Sequence, residues 1–387
     1  MSERNLLIIS NDFPNQDNSY IGGIFVKEQV KYLKHHFDKV YVVSPVAHGM
    51  ERLRNTKHDD YQFDDVQVFF PRYINNPLFW NHGRFMWVNL ELRAIESLIK
   101  RERINFDLIH AHFTWPSGAV AVELKRIMGI PTIITEHTHQ TLYKAIRQKN
   151  RHFINTWRDC DALIRVNKKD ISQICSCGIN PSKVHYIANG YDPKKYHPIS
   201  MDRARQLLGL PTDSKIILNI GRLYEEKGQK FLISAIGEII GERDDFICYI
   251  GGSGPLRHNL EQQIVSLGLE KYIKLVGFIP DEQMYLWMNA CDIFVMPSLA
   301  ESFGIVQLEA LACGKPILAT RNGGSEEIII SDRYGILAEP GDSDDLAEKI
   351  HMALDREWDR EAIKQYAERY TWENISKEIL CIYDEFI

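Results

Sequence analysis

Short apolar runs bounded by turn residues alternate along this chain with longer segments of helical period, and the alternation runs twice. Fully apolar short runs between amphipathic helices build parallel sheets covered on both faces. In the first half, strands are expected at Leu6–Ser10, Val40–Ser44, Leu108–His110, Thr132–Thr135 and Ala162–Val166, with helices such as Ile24–Lys34 and Gly118–Met128 between them. The rhythm restarts near residue 215. Strands follow at Ile216–Ile220, Phe246–Ile250, Ile273–Val276, Ile293–Met296 and Pro316–Thr320, with a helix around Gln229–Ile240. Between the halves, Asn189-Gly-Tyr-Asp-Pro-Lys-Lys-Tyr-His-Pro198 is rich in turn formers and reads as a connection. The 387 residues therefore accommodate two Rossmann-like α/β domains with a cleft between them. Ligands in such sheets sit beyond the carboxyl ends of the strands. Residues 48–105 are less regular and unusually aromatic, with Phe69, Phe70, Tyr73, Phe79, Trp80, Phe85 and Trp87.

Composition removes several other classes. Hydrophobic residues make up 44% and charged residues 25%, which excludes a disordered chain, a collagen-like repeat and a small disulfide scaffold. No apolar run reaches the roughly 20 residues that span a bilayer. The beginning, Met-Ser-Glu-Arg-Asn-Leu-Leu-Ile-Ile-Ser, lacks the apolar core of a signal peptide and reads as a first buried strand. Seven cysteines, at 160, 175, 177, 248, 291, 313 and 381, include no Cys-x-x-Cys pair. Cys175-x-Cys177 is too tight for a zinc knuckle, and a reducing cytoplasm is the expected location. The formal charge of −6 argues against a nucleic-acid partner, yet it hides a division. Residues 1–195 carry 27 Lys and Arg against 20 Asp and Glu, a balance of +7, and the remainder carries 19 against 32, or −13.

Four features carry chemistry. In Met296-Pro-Ser-Leu-Ala-Glu301-Ser-Phe-Gly304-Ile-Val-Gln-Leu-Glu309, a buried strand ends, a loop follows and a helix begins near Gly304. Glu301 then lies in the loop and Glu309 about one turn into the helix. The unpaired N–H groups from Phe303 to Val306, with Gly304 and Ile305 between, are ready to receive an anion. Two solvated glutamates beside an ordinary helix is the plainer alternative. Gly221-Arg222-Leu-Tyr-Glu-Glu-Lys227-Gly228 follows another strand and sets two cations around a turn. Arg grips phosphate oxygens bidentately and Lys supplies a compact charge, so the pair suits a diphosphate without a metal. A basic turn with no ligand is commoner.

Two glycine loops, Gly22-Gly23 and Gly251-Gly252-Ser-Gly254, also follow strands. The second lacks the third glycine of a dinucleotide fingerprint, and neither matches a P-loop. Finally, His110-Ala-His112 and Glu136-His137-Thr-His139 end first-half strands. No third ligand at a usual spacing supports zinc, so His112 and His137 read as ligand-contacting or structural histidines. Asp159-Cys-Asp161 and Asp342-Ser-Asp344 resemble a metal-binding Asp-x-Asp, but their positions suit a strand start and a helix cap.

Taken in order, these segments resemble the retaining, nucleotide-sugar-dependent glycosyltransferases of family four, which have the GT-B fold. Glu301-x7-Glu309 in its Pro-Ser-x2-Glu-Ser-Phe-Gly context is similar to that family's hallmark. Gly221-Arg222-Leu-x2-Glu-Lys227-Gly, Gly252-Ser-Gly-Pro-Leu-Arg257 and Asn189-Gly-Tyr-Asp192 resemble its other blocks, and the matches run from Gly22 to Tyr383. The resemblance implies an acceptor-side domain at 1–195 and a donor domain at 196–368. It further implies a helix at 369–387 that crosses back to the first domain.

It also implies roles. Arg222 and Lys227 would bind the donor diphosphate, Glu309 the ribose and Glu301 the sugar hydroxyls. The base would lie near Phe278 and Ile279. Backbone N–H groups of Phe303, Gly304, Ile305 and Val306 would hold sugar and phosphate, with help from Gly23. His112 would contact the donor sugar near the reacting carbon, and Gly22, His137 and Asn189 are further sugar or acceptor contacts. No cofactor is expected beyond a UDP- or GDP-sugar co-substrate, UDP being favoured, and no metal is strictly required. The segment Phe13-Pro-Asn…Gly23-Ile-Phe-Val-Lys-Glu-Gln-Val resembles members that build surface polysaccharide, which implies a glycan or lipid-linked acceptor. The basic first half would suit contact with an anionic membrane on its inner face. A noncatalytic sugar-nucleotide sensor or assembly subunit, and a glycoside phosphorylase on the same fold, are the alternatives.

Overall fold

The structure, a computed structural model, describes residues 4–51, 56–76 and 83–387. Phe79 and Trp80 lie outside the described residues. The chain divides into two compact units, Met1–Ala188 with Trp372–Ile387, and Asn189–Thr371.

Among the described residues the first unit has ten strands: β1 (Asn5–Ser10), β2 (Lys39–Val43), β3 (Val46–Ala47), β4 (Tyr61–Phe63), β5 (Val66–Phe69), β6 (Arg72–Tyr73), β7 (Leu108–His112), β8 (Thr132–Glu136), β9 (Ala162–Arg165) and β10 (Val184–Tyr186). Eight of them form one sheet in the order β10-β9-β8-β7-β1-β2-β5-β4, parallel except for the antiparallel β4–β5 pair. β1 lies at its centre, and Leu6, Leu7, Ile8 and Ile9 are wholly buried, as a strand covered on both faces requires. Ser10 pairs with His112, and His112 with Thr135, so three strands end in one row. The final helix, Trp372–Tyr383, belongs to this unit and packs on the Ile24–Leu33 helix. Its buried Trp372, Ile375, Ile379, Ile382 and Tyr383 recur with helical period.

The second unit has six strands: β11 (Lys215–Ile220), β12 (Phe246–Gly251), β13 (Ile273–Gly277), β14 (Ile293–Met296), β15 (Ile317–Thr320) and β16 (Gly335–Ala338). They form an all-parallel sheet in the order β13-β12-β11-β14-β15-β16. From β11 the chain moves outward to β13 and then returns to the other side of β11 with β14. The switch point therefore falls between β11 and β14, where helices leave on opposite sides and a crevice opens at the carboxyl ends. In the first unit the corresponding point lies between β1 and β7.

Both alternating halves form the expected parallel sheets. The departure lies in residues 48–105, where the irregular reading missed the β4–β5 hairpin and a 19-residue helix, Arg84–Glu102. Val88, Leu92, Ile95 and Ile99 give that helix an apolar face of ordinary period. An acid, Glu91, sits on the same face and is fully buried, which interrupts the pattern as read from sequence.

Candidate functional site

In the second unit the loops after β11 and β14 meet at the switch point, and they meet backbone to backbone. Leu299 N donates to the Glu226 carbonyl at 2.8 Å. Gly228 has a φ of +66°, and a Cβ there would stand 2.0 Å from the Pro297 carbonyl oxygen. Glycine is thus required twice at this position, by conformation and by close approach. The turn it ends carries Lys227, whose Nζ lies 2.5 Å from Glu301 Oε1. Ser298 Oγ donates to the same oxygen at 2.9 Å, and the Glu301 N–H donates to the Asn322 carbonyl at 3.1 Å. The two groups expected to serve phosphate and sugar are therefore joined in an ion pair, with side-chain exposures of 21% and 12%.

Arg222 differs from Lys227. It is exposed, has no ion pair among the described residues, and rests its guanidinium 5.2 Å from the Tyr224 ring centre. Its loop is seated on the next one: Gly221 N donates to the Gly251 carbonyl (3.0 Å) and Leu223 N to the Ser253 carbonyl (2.9 Å). A Cβ on Gly252 would stand 1.9 Å from the Gly221 oxygen. The glycines that suggest a dinucleotide fingerprint thus serve to let one loop of the protein lie against another.

After Glu301, Gly304 (φ +86°) caps the helix Ile305–Ala312, one residue later than the expected start. Gln307 N donates to the Gly304 carbonyl, whereas the N–H groups of Phe303, Gly304, Ile305 and Val306 have no hydrogen bond among the described residues. These are the orphan donors of a helix start, and they carry its positive partial charge. Glu309 lies in the second turn, bonded to the Tyr196 hydroxyl. Burial first, then the Glu309 charge, pushes the Tyr196 phenol above its ordinary range, so it stays a neutral donor. Phe278, exposed, and Ile279, buried, follow β13 on the same rim of strand ends, and a Cβ on Gly251 would meet Ile279 Cδ1 at 2.4 Å. Asn189 opens the second unit and is buried.

In the first unit the structure brings His112 and His137 together. Their rings stack at 5.3 Å and 14°, with Nδ1 of His112 3.0 Å from Nε2 of His137. His112 Nε2 and His137 Nδ1 are buried without a partner among the described residues. Burial drives both imidazoles well below their usual range, so both are neutral. Gly23 (φ +66°) starts the helix whose Phe25 ring lies 4.7 Å from His137. A Cβ on Gly23 would stand 2.0 Å from the Asp12 carbonyl, and one on Gly22 would strike the Tyr20 ring, so the fold itself calls for both glycines.

Further residues hold these groups in place. Glu136 bridges the loops after β7 and β8 by accepting from Thr114 N (2.9 Å) and Thr138 N (2.6 Å), which positions His137 between them. His110 is held by Tyr383 of the last helix (2.5 Å) and Thr135 (2.7 Å), and its pKa falls to about 3 on burial. Ser298, Asn322 and Tyr196 support the two glutamates, and no residue spacing announces them. Asp161 instead takes Lys125 and the Thr132 N–H, and Asp342 caps the helix Ser343–Asp355, so both Asp-x-Asp segments are structural. Among the described residues no group of three or more His, Cys, Asp or Glu could hold a metal ion. No helix among them is long and apolar enough to cross a membrane.

Comparison with known proteins adds the following. Residues 22–195 match the family model described as Glycosyltransferase Family 4, and residues 200–370 match the one described as Glycosyl transferases group 1. An uncharacterized glycosyltransferase of Methanocaldococcus jannaschii is 32% identical over 337 residues, covering 82% of this chain and 84% of the relative. Sucrose-phosphate synthase from Thermosynechococcus elongatus superposes with a TM-score of 0.82 at 22% identity, over 99% of this chain and 98% of that one. Anabaena HepE, solved in complex with UDP-glucose, superposes with a TM-score of 0.74 at 21% identity, over 98% and 99% of the two chains.

Proposed function

This chain belongs to the family-four glycosyltransferases and has their GT-B fold, and from that premise we propose that it moves a hexose from UDP-sugar, with GDP-sugar as the second choice, to a glycan or lipid-linked acceptor in surface polysaccharide or glycoconjugate synthesis, with retention of configuration. The observation that carries the reading is the meeting of Lys227 and Glu301 at the β11/β14 switch point, beside a helix start with four free N–H groups. The UDP-glucose bound by the structurally similar Anabaena HepE supports the choice of nucleotide.

The chemistry follows from charge. A nucleoside diphosphate leaves carrying negative charge, and groups already aimed at that charge lower the barrier without reorganising. Arg222, without an ion pair among the described residues, is one cation and Lys227 the second, and the N–H groups of residues 303–306 supply dipoles. Glu301 is left to accept hydrogen bonds from sugar hydroxyls, which requires Lys227 to be shared between carboxylate and phosphate. Glu309, steadied by Tyr196, accepts from the ribose diol. Neutral His112 offers a ring nitrogen to the sugar rather than a charge. On this reading no metal is needed to neutralise the diphosphate.

Incubation of the purified protein with UDP- and GDP-sugars should release nucleoside diphosphate, and a thermal-shift screen should single out the donor. Failure of every nucleotide sugar to bind or turn over would sink the proposal. The +7 balance of residues 1–195 further supports contact with anionic membranes, each well-placed Lys or Arg contributing about 1 kcal/mol near the surface. Co-sedimentation no better with anionic than with neutral vesicles would remove that part.

A further inference from the structure

A pocket of about 350 Å³ lies wholly within the first unit, beyond the carboxyl ends of β1, β2, β7 and β8. That places it at the switch point of the first sheet, and its volume falls toward the lower end of the roughly 300–1,000 Å³ usual for small-molecule sites. Its walls are largely aromatic, with Phe13, Tyr20, Tyr73, Trp87, Phe113 and Trp115. Trp87 and Trp115 meet edge to face at 6.5 Å. Phe113 directly follows His112 and lies 5.2 Å from the His137 ring, so the pocket adjoins the histidine pair.

The polar groups between the rings are carboxylates, amides and hydroxyls, with one imidazole, His58, whose Nδ1 lies 3.5 Å from the Glu51 carboxylate. Asn11, Asp12, Ser44, Glu51, Asn75 and Thr138 offer carboxylate, amide and hydroxyl groups. Among the described lining residues there is no Lys or Arg. Of the described cations nearby, Arg72 donates to Glu51 (3.0 Å) and to the His58 carbonyl, and Arg84 lies 5.8 Å from the Trp115 ring centre.

Beneath the pocket sits Glu91, fully buried. It accepts from Asn11 Nδ2 at 3.0 Å and is hydrogen-bonded to Tyr73, whose hydroxyl accepts from Trp87 Nε1 at 3.0 Å. Asn11 is tied in turn to Ser117. Burial raises the Glu91 carboxyl to about 8, so it is uncharged at neutral pH and can donate as well as accept. Three lining side chains therefore share one buried, neutral network, which orients them in advance.

These features match a sugar ring. A pyranose presents apolar C–H faces to aromatic rings and hydroxyls around its edge to carboxylates and amides. A phosphate ester would need cations or free N–H groups, and would instead face Asp12 and Glu51. We propose that this pocket receives the acceptor as an uncharged pyranose, the end of a glycan, and discriminates against sugar phosphates. The proposal rests on the transfer reaction above and adds the chemistry of the acceptor.

The test uses the whole chain with UDP present. Methyl glycosides of glucose, galactose, mannose and N-acetylglucosamine are titrated by saturation-transfer NMR against glucose 6-phosphate and mannose 6-phosphate. At least one neutral glycoside should bind, and its phosphate counterpart at least tenfold more weakly. Trp87→Ala should weaken the neutral sugar by about tenfold, the upper scale of one aromatic contact, with UDP affinity unchanged. Thr141 lines the pocket and is exposed, so Thr141→Lys should fold normally and narrow the gap between neutral and phosphorylated sugars. Equal or tighter binding of a sugar phosphate, binding of no neutral glycoside, or unchanged sugar affinity in a folded Trp87→Ala variant would each overturn the proposal. UDP affinity, measured on the same samples, reports separately on the transfer reading.

Discussion

Removing the charge of Lys227 should be felt twice, in stability and in donor affinity, and a second substitution should separate the two. Lys227→Met keeps the length and apolar stem of the side chain but leaves Glu301 with Ser298 Oγ, 2.9 Å away, in place of a cation at 2.5 Å. Breaking a fully buried ion pair costs about 3–5 kcal/mol, whereas an exposed pair is worth about 0–1. With 21% and 12% of the two side chains exposed, the loss should fall between these limits, at about 1–2 kcal/mol. For a unit of this size that lowers the apparent melting temperature by roughly 2–8 °C. Adding Glu301→Gln removes the stranded charge, and most of the stability should return. Donor affinity should behave otherwise, because the lost cation served the phosphate. Loss of a charged hydrogen bond of about 1.5–3 kcal/mol raises the UDP dissociation constant by roughly 10–150-fold. That loss should persist in the double variant. Scanning fluorimetry and calorimetric titration of UDP on the wild type and both variants measure the two effects. If UDP binds both variants as tightly as the wild type, or if Glu301→Gln restores its affinity, Lys227 does not hold the diphosphate.

Three further outcomes are expected. Gly228→Ala would force a Cβ to 2.0 Å from the Pro297 carbonyl at a left-handed φ, so it should destabilise the second unit by at least about 2 kcal/mol and weaken UDP binding with it; wild-type melting and affinity would show that the two loops need not meet. Glu91, whose carboxyl is raised from 4.5 to about 8, is neutral when folded while the unfolded chain ionises, so its own contribution to stability should fall by up to about 1.4 kcal/mol per pH unit between pH 6.5 and 7.5 and level off above 8. The depressed His110, His112 and His137 act in the opposite direction up to about pH 7.5, since the unfolded chain takes up protons that the folded one refuses, and buried Lys315, lowered to about 8, does so toward the top of the window. Chemical denaturation of the wild type and Glu91→Gln at each pH should show their stability difference changing by that amount across the window, and parallel curves would mean that Glu91 is ionised in the fold. His112→Ala should reduce transfer by roughly 10–100-fold through loss of a sugar hydrogen bond while UDP affinity holds; full transfer activity would remove His112 from the site.

The strands were legible because burial on both faces leaves mostly apolar residues in them, and turn formers mark their ends. β1, β11 and β14 fall within a residue of the positions read from sequence. The Arg84–Glu102 helix was not, although Val88, Leu92, Ile95 and Ile99 have the right spacing. Glu91 on the apolar face and a run of aromatics upstream obscured the period, and only the structure shows that Glu91 is buried as a neutral acid under a pocket. β4 is three residues long, too short for alternation to register.

The site was legible as parts and illegible as contacts. Residue spacing locates Arg222, Lys227, Glu301 and Glu309 on loops and a helix start, because each follows an apolar strand. It cannot show that Lys227 and Glu301, 74 residues apart, touch. What joins them is topology: β14 pairs with β11 rather than with β13, which precedes it in the chain. The same topology accounts for glycines that a motif reading assigns to a ligand. Gly228, Gly252 and Gly23 each lack the room for a side chain because another backbone carbonyl stands 1.9–2.0 Å from where Cβ would be. A glycine beside a phosphate site and a glycine beneath a neighbouring loop look alike in one sequence. Here the second reason is met by the protein's own atoms, so a Gly→Ala change that abolishes donor binding would speak for loop seating before it spoke for phosphate contact. Only charge substitutions such as those at Lys227, which leave the backbone in place, can assign the diphosphate.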